Sequence, residues 1–373
     1  MRLFVILGLL FQLAFGKNVL LSVHYPKSAV AMYLRGNGCG LNWDKGFKLT
    51  SSSQFEWQAT LSCSDSEVKS NSLEVKVLVG DSDWQIGANH HVNIAAANVT
   101  DSIFPWFYTY KGSTTIIKNV FSSELNNKRD VIIYLPPSFN ENTLKRYSNV
   151  LIMHDGQNLF DPRTSAFGCW NAQDTFDNTM VSGSSDEILA VGAYNTADRN
   201  NEYTYIFDES EGFGGKGDLY LDWIESTLIP LIASTPSYRA DIKRETLGIL
   251  GSSLGGLISC YAGWTRPTVY GKVGCMSSSF WWADEDFQNK MMLAHDVPAS
   301  PRPHVYMDSG TGSKGERDCG RETSTIYSMM STDGFIKDVE IKTYVQEGGT
   351  HDEASWSARF YIPVQFLYPS VTV

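Results

Sequence analysis

The 373-residue chain carries 41 acidic against 30 basic side chains, a formal net charge of −11, with an isoelectric point near 5.1. That balance repels phosphate backbones and anionic lipid headgroups, which excludes nucleic acid and membrane surfaces as expected partners. With 42% hydrophobic and 19% charged residues the chain can bury a sizeable core, and its length suits two domains better than one.

Residues 1–16, MRLFVILGLLFQLAFG, set Arg2 before an apolar run and end on Ala14-Phe15-Gly16. This pattern predicts a cleaved signal peptide, too short to span a bilayer, and a secreted, soluble mature protein. From Lys17 to Lys118 the short runs VLLSVHY, AVAMYLRG, FEWQATL, LEVKVLVG and HVNIAAA alternate in polarity between Gly, Asn, Asp and Ser clusters. They predict a small all-β, Ig-like sandwich over residues 17–118, with Asp101–Gly112 as a packed linker. Six cysteines, an even number in a secreted chain, predict disulfides. Cys39 with Cys63 is the expected pair in this domain, and Cys169–Cys319 and Cys260–Cys275 would account for the rest. No CxxC or Cys/His zinc spacing occurs, so no metal is expected. Asn98-Val99-Thr100 is a glycosylation sequon, which predicts an exposed loop.

From Asn119 the pattern changes. Strand candidates DVIIYLPP, NVLIMHD, EILAVGAYN, ETLGILGSS, KVGCMSSSF, HVYMDSG and EIKTYVQEG are separated by longer stretches. Three of those stretches read as helices: LYLDWIESTLIPLIAS, LGGLISCYAGWT and TSTIYSMMSTDGF. Apolar strands alternating with helices predict an α/β domain over 119–373, with a mainly parallel sheet covered on both faces.

Within it, Gly251-Ser252-Ser253-Leu254-Gly255 matches GxSxG, between an apolar strand and a helix. A serine at such a turn stands clear of the sheet, small flanking residues relieve crowding, and the helix aims its first amides at the site. Ser253 is therefore the candidate nucleophile, and it needs a base. His351 in GGTHDE follows the last strand candidate, in the chain order serine, acid, histidine. For the acid, Asp318 is preferred over Asp308 and Glu316 because its loop position gives it more freedom to reach His351. The amides of Leu254 and of Gln157, in MHDGQN, are the candidate oxyanion donors. Trp281 and Trp282, with Phe280 beside them and Trp170 further back, are candidate substrate walls. The ordinary alternative for any one of them is a place in a buried aromatic cluster.

DVIIYLPPSF, MHDGQNLFD, GSSLGG, MSSSFWW and GGTHDEASWSARF, in this order over about Asn119 to Tyr368, resemble the putative esterase family. That family includes enterochelin, feruloyl and acetylxylan esterases and S-formylglutathione hydrolase. The resemblance implies an α/β-hydrolase core and ester hydrolysis by a Ser/acid/His triad, with no cofactor. Gly40-Leu41-Asn42-Trp43-Asp44 and the W-x-x-G-x-N segment of Trp84, Gly87 and Asn89 are similar to a starch-binding-type carbohydrate module. Sugar binding through Trp43, Trp84 and Asn89, or simple bracing of the catalytic domain, both stay open. The expectation is a secreted serine esterase acting on acyl or aryl esters of carbohydrates, siderophore-like esters or other small esters. A serine acyltransferase, a non-catalytic carbohydrate-binding or structural secreted protein, and a peptidase are the alternatives.

Overall fold

The computed structural model describes residues 17–64, 71–294, 301–312 and 318–370. The expected signal peptide and Glu316 lie outside these residues. The chain forms two compact units: one runs to Tyr108 and takes in Glu141–Leu144, the other comprises Thr109–Asn140 and Lys145–Val373.

The first unit is all-β. One sheet orders its strands Thr50–Ser53, Glu56–Cys63, Lys17–His24 and Asn98–Ile103; the other orders Phe47–Lys48, Met32–Gly36, Ser72–Val79 and Asp83–Trp84, with His90–Asn93 also on Ser72–Val79. Alternation in these strands turns Val19, Leu21, Val23, Leu34, Val75 and Val77 into one shared core. Cys39, just past the strand Met32–Gly36, is bonded to Cys63 at the end of Glu56–Cys63, so the disulfide ties one sheet to the other. Glu141 and Asn142 join this unit through backbone contacts. The Asn142 amide donates to the carbonyls of His24 and Pro105 at 2.9 Å each, and Glu141 accepts the amide of Phe107.

The second unit is built on an eight-stranded sheet. Its strands are β1 (Ser113–Ser122), β2 (Asn127–Leu135), β3 (Val150–Met153), β4 (Leu189–Ala193), β5 (Leu247–Ser252), β6 (Lys272–Met276), β7 (His304–Gly310) and β8 (Ile341–Gln346). They lie in the order β1-β2-β4-β3-β5-β6-β7-β8. β2 is antiparallel to both neighbours and the remaining pairs are parallel. This mixed but mainly parallel sheet is an α/β-hydrolase core. Residues of each central strand alternate between two cores, because successive side chains point to opposite faces. Ile152, Ile249 and Met307 pack with Trp223, Ile258 and Ile326 on one face. Met153, Leu250 and Tyr306 pack with Phe176, Phe360 and Val364 on the other. The three expected helices form: residues 217–234 (two α segments joined by one π-helical turn), Leu254–Thr265 and Gly320–Thr332.

Several expectations need correction. The expected boundary at 118/119 falls inside β1, and Asp101–Ile103 of the expected linker belong to a strand. β1 is an edge strand with most of its side chains exposed, so it lacks the apolar signature of its neighbours. Cys39–Cys63 is a disulfide, but Cys169, Cys260 and Cys275 are free thiols, so neither Cys169–Cys319 nor Cys260–Cys275 is bonded. Asn98 is exposed but opens a strand instead of sitting on a loop. No helix among the described residues is long and apolar enough to cross a membrane.

Candidate active site

Ser253 sits between β5 and the helix Leu254–Thr265 with φ 58° and ψ −126°, a conformation costly for any residue with a Cβ. Local packing demands the small neighbours. A Cβ on Gly251 would fall 2.7 Å from the carbonyl carbon of Gly255 and 2.7 Å from the His154 ring. At Gly255 the nearest atom, His154 Cβ, would be 3.3 Å away, tight but less severe. The strained turn is held by backbone bonds: the Ser253 amide donates to the Met276 carbonyl at 3.0 Å, and the Ser279 amide to the Ser253 carbonyl at 3.1 Å. Leu254 is the first helical residue, so its amide belongs to the open N-terminal turn beside the hydroxyl.

His351 follows β8 and precedes the helix Glu353–Arg359. Asp352 caps that helix by accepting the Ser355 amide at 2.9 Å, which fixes the backbone at the residue after the imidazole. The ring stands edge-on to Trp356, with centroids 5.1 Å apart. Its Nε2 lies 2.9 Å from Ser253 Oγ, and its Nδ1 lies 2.8 Å from Asp318 Oδ1. Asp318 is buried, and its second oxygen accepts from Ser277 Oγ at 2.9 Å and from the Gly310 amide, with an Arg359 nitrogen at 3.5 Å.

Asp308 is otherwise engaged. It is fully buried inside β7, pairs with Arg359 Nε at 3.0 Å, and accepts the Ser277 amide and the Tyr306 hydroxyl at 3.0 Å each. Burial pushes its carboxyl above the usual range, against the pull of the Arg359 guanidinium. His154 is likewise committed to the interior, between Tyr220 (2.9 Å) and Ser259 (3.1 Å), and burial drives its pKa down to about 3. It is a neutral packing histidine at neutral pH.

A cavity of about 260 Å³ opens over Ser253 and His351. Phe167, Trp170 and Trp356 form aromatic parts of its wall, and Asp155, Arg199 and Glu353 its charged parts. Arg199 bonds both Asp155 oxygens, at 2.7 and 2.8 Å. Burial opposes ionisation of Asp155, but Arg199 and Asn195 hold its carboxyl below the ordinary range. The segment bearing Arg199 is anchored by a buried pair in which Arg129 donates twice to Glu202 at 2.9 Å. No group of His, Cys, Asp and Glu among the described residues is arranged to hold a metal.

Residues 122–366 match the family model described as putative esterase. The chain belongs to the putative esterase family. It is 25% identical over 260 residues to the uncharacterized protein YbbA of Bacillus subtilis, covering 68% of this chain and 97% of that protein. Among solved structures it is similar to the siderophore hydrolase EstA of Aspergillus nidulans, with a TM-score of 0.52 at 17% identity over 68% of this chain and 93% of that one. It is also similar to the enterobactin esterase FES of Shigella flexneri, with a TM-score of 0.52 at 14% identity over 93% and 92%. The two structural likenesses show the fold. The family makes the protein a carboxylic ester hydrolase.

The cavity takes in Ser253, His351 and Trp170 from the sequence-derived candidates, with Asp318 behind His351. Gln157 is not part of its lining. Its side chain accepts the Asn195 amide at 3.1 Å and its carbonyl accepts Thr164 Oγ1 at 2.6 Å, while Asp155 and Asn158 on either side reach the cavity. Trp281 and Trp282 also stand outside. Trp282 is buried in the core with its indole N–H on the Ile206 carbonyl at 2.9 Å, and Trp281 is exposed beside it. Phe280 is buried in the same core. In the first unit Trp84 is exposed and Trp43 half-buried, stacked with centroids 6.4 Å apart, and Arg35 covers Trp84 at 5.0 Å. Asn89 is committed to the Glu74 carboxylate at 2.6 Å. Sequence reasoning missed Asp155, Arg199 and Ser277, and passed over Glu353, Trp356 and Arg359 even though GTHDEASWSAR contains all three.

Proposed function

We propose that the protein is a secreted serine esterase that works through an acyl-enzyme. The observation that carries this reading is the unbroken line of hydrogen bonds from Ser253 Oγ to His351 (2.9 Å) to Asp318 (2.8 Å), at the floor of a cavity. As Ser253 Oγ attacks the ester carbonyl carbon, His351 Nε2 takes its proton, and the imidazolium so formed rests against the Asp318 carboxylate. The amide of Leu254, in the open first turn of the helix after Ser253, is assigned to the oxyanion. His351 then protonates the departing alcohol. Water loses a proton to the same nitrogen, attacks the acyl-enzyme, and releases the acid and Ser253.

The small cavity suits a compact acyl or alcohol group, below the usual range of about 300–1,000 Å³ for ligand sites. Substrate classes to test are acyl or aryl esters of sugars, siderophore-like esters and other small esters. The Cys39–Cys63 disulfide supports the secretory reading, because such bonds persist in oxidising compartments, and exposed Asn98 is assigned as a glycan acceptor. In the first unit, Trp84 is the one ring of the pair open enough to stack on a sugar, which polysaccharide pull-down of the full chain and of Trp84→Ala tests. The esterase reading is tested by turnover of short-chain nitrophenyl, feruloyl and acetyl-sugar esters. Ser253→Ala should lose turnover of every active ester while keeping the wild-type melting temperature; a Ser253→Ala protein that still turns them over refutes the assignment.

A further inference from the structure

Four ionisable residues face the cavity: Asp155, Arg199, His351 and Glu353. Three are matched. Asp155 and Arg199 neutralise each other through two hydrogen bonds, and His351 is backed by Asp318. Glu353 is different. It is more than nine-tenths buried, it contributes to the cavity wall, and no described basic side chain forms an ion pair with it. Its one side-chain partner is the Asn158 amide, at a long 3.4 Å. Burial raises its pKa above the ordinary glutamate range, against the pull of a hydrogen bond from its own backbone amide and of the Arg199 charge. A hydrogen-bond donor arriving in the cavity would give this buried carboxyl the close side-chain partner that Asn158 supplies only at long range.

The position of Glu353 places any such donor near the reacting ester. It lies two residues after His351, at the first turn of the helix that also carries Trp356, and its side chain lies against Gly168, between Phe167 and Trp170 of the aromatic wall. We propose that Glu353 is a specificity-determining residue that accepts a hydrogen bond from a hydroxyl or ammonium group of the ester substrate and repels carboxylate-bearing esters. The substrate class is therefore a compact, uncharged or cationic ester with a hydrogen-bond donor a few bonds from its carbonyl, on the acyl or the alcohol side. Aromatic faces at Phe167, Trp170 and Trp356 hold the carbon skeleton, and the carboxyl reads the donor. Because the cavity carries one carboxyl more than it carries cations, a second negative charge brought in by the substrate has no partner there.

This inference rests on the Ser253 esterase reading, and its test separates the two. The kcat/KM of the wild-type protein is measured on matched esters: 4-nitrophenyl butanoate, 4-nitrophenyl 3-hydroxybutanoate and 4-nitrophenyl hemisuccinate for the acyl side, propyl acetate and glycerol monoacetate for the alcohol side. The readout is the ratio within each set. In at least one set the donor-bearing ester should be preferred roughly ten- to a hundredfold, and the hemisuccinate should fall below the butanoate by a similar factor. Glu353→Leu should bring the donor ratio to about one. Glu353→Gln keeps an acceptor but loses the charge, so it should retain part of the hydroxyl preference while admitting the hemisuccinate, a split that mere loss of packing would not produce. Donor ratios near one in both wild-type sets, or ratios unchanged in Glu353→Gln and in Glu353→Leu, overturn the proposal. Turnover of all these esters that survives Ser253→Ala would instead refute the esterase reading itself.

Discussion

His351 Nδ1 and Asp318 Oδ1 stand 2.8 Å apart, while the other Asp318 oxygen is occupied by Ser277 and the Gly310 amide. One carboxylate oxygen is thus left to orient the imidazole, and the loop carrying it is pinned by the second. Asp308, only ten residues away in sequence, has its carboxyl spent on Arg359, Tyr306 and the Ser277 amide. Replacing the two acids should therefore have different signatures. Asp318→Asn is expected to lower kcat by about 10³–10⁴-fold with the fold kept, through loss of the imidazole tautomer and of the charge facing the imidazolium. Asp308→Asn is expected to lower the melting temperature first. Steady-state kinetics beside thermal melts check this, and a reversed pattern would move the acid role to Asp308.

Arg359 bridges the two acids from a buried position, with Nε 3.0 Å from Asp308 and a terminal nitrogen 3.5 Å from Asp318. Removing the cation strands two buried carboxylates. Arg359→Leu should cost about 3–5 kcal/mol in denaturant unfolding, and the double variant with Asp308→Asn should cost less than the sum of the singles. Strict additivity would show that the bridge carries no coupling.

The expected pH dependence of stability follows from His154. Its folded pKa is held down to about 3 by burial, against an ordinary value of 6.5. Below 6.5 the unfolded chain binds a proton there and the folded chain does not until about 3, so this contribution is intact above 6.5 and is lost as pH falls across that window. The share from this one group is about 1.4 kcal/mol per pH unit. Unfolding free energies measured from pH 7 to pH 4 should fall less steeply in His154→Gln than in the wild type. Equal slopes would contradict the assignment of a neutral, buried imidazole.

In the first unit the Cys39–Cys63 bond closes a loop with a sequence separation of 24. By chain entropy it should contribute roughly 3–4 kcal/mol. Reduction, or Cys39→Ser with Cys63→Ser, should lower the melting temperature of this unit. An unchanged transition would show that the sandwich core alone sets its stability.

What the sequence disclosed and what it withheld divide along physical lines. The elbow at Ser253 was legible because strand, strained turn and helix each leave a local mark, and Gly251 is required by a clash a few residues away. The parallel strands were legible because burial on both faces makes them continuously apolar. β1 was not, because an edge strand with exposed side chains lacks a continuous apolar run, and the expected boundary at 118/119 cut through it. Asp155 with Arg199 and Asp308 with Arg359 are separated by 44 and 51 residues, so only the closed sheet brings them together. Trp281 and Trp282 looked like pocket walls from their place after β6. The core on the far side of that turn claims Trp282 instead.

The central claim is that Ser253 forms the covalent acyl intermediate, and active-site labelling tests it most directly. The full-length protein is treated with a fluorophosphonate ester, and the modified peptide is identified by mass spectrometry, beside Ser253→Ala. The account predicts one phosphonyl group per chain on Ser253, loss of ester turnover in step with labelling, and no labelling of the variant. Full turnover after stoichiometric labelling, or a label found on another residue that persists in Ser253→Ala, would contradict it.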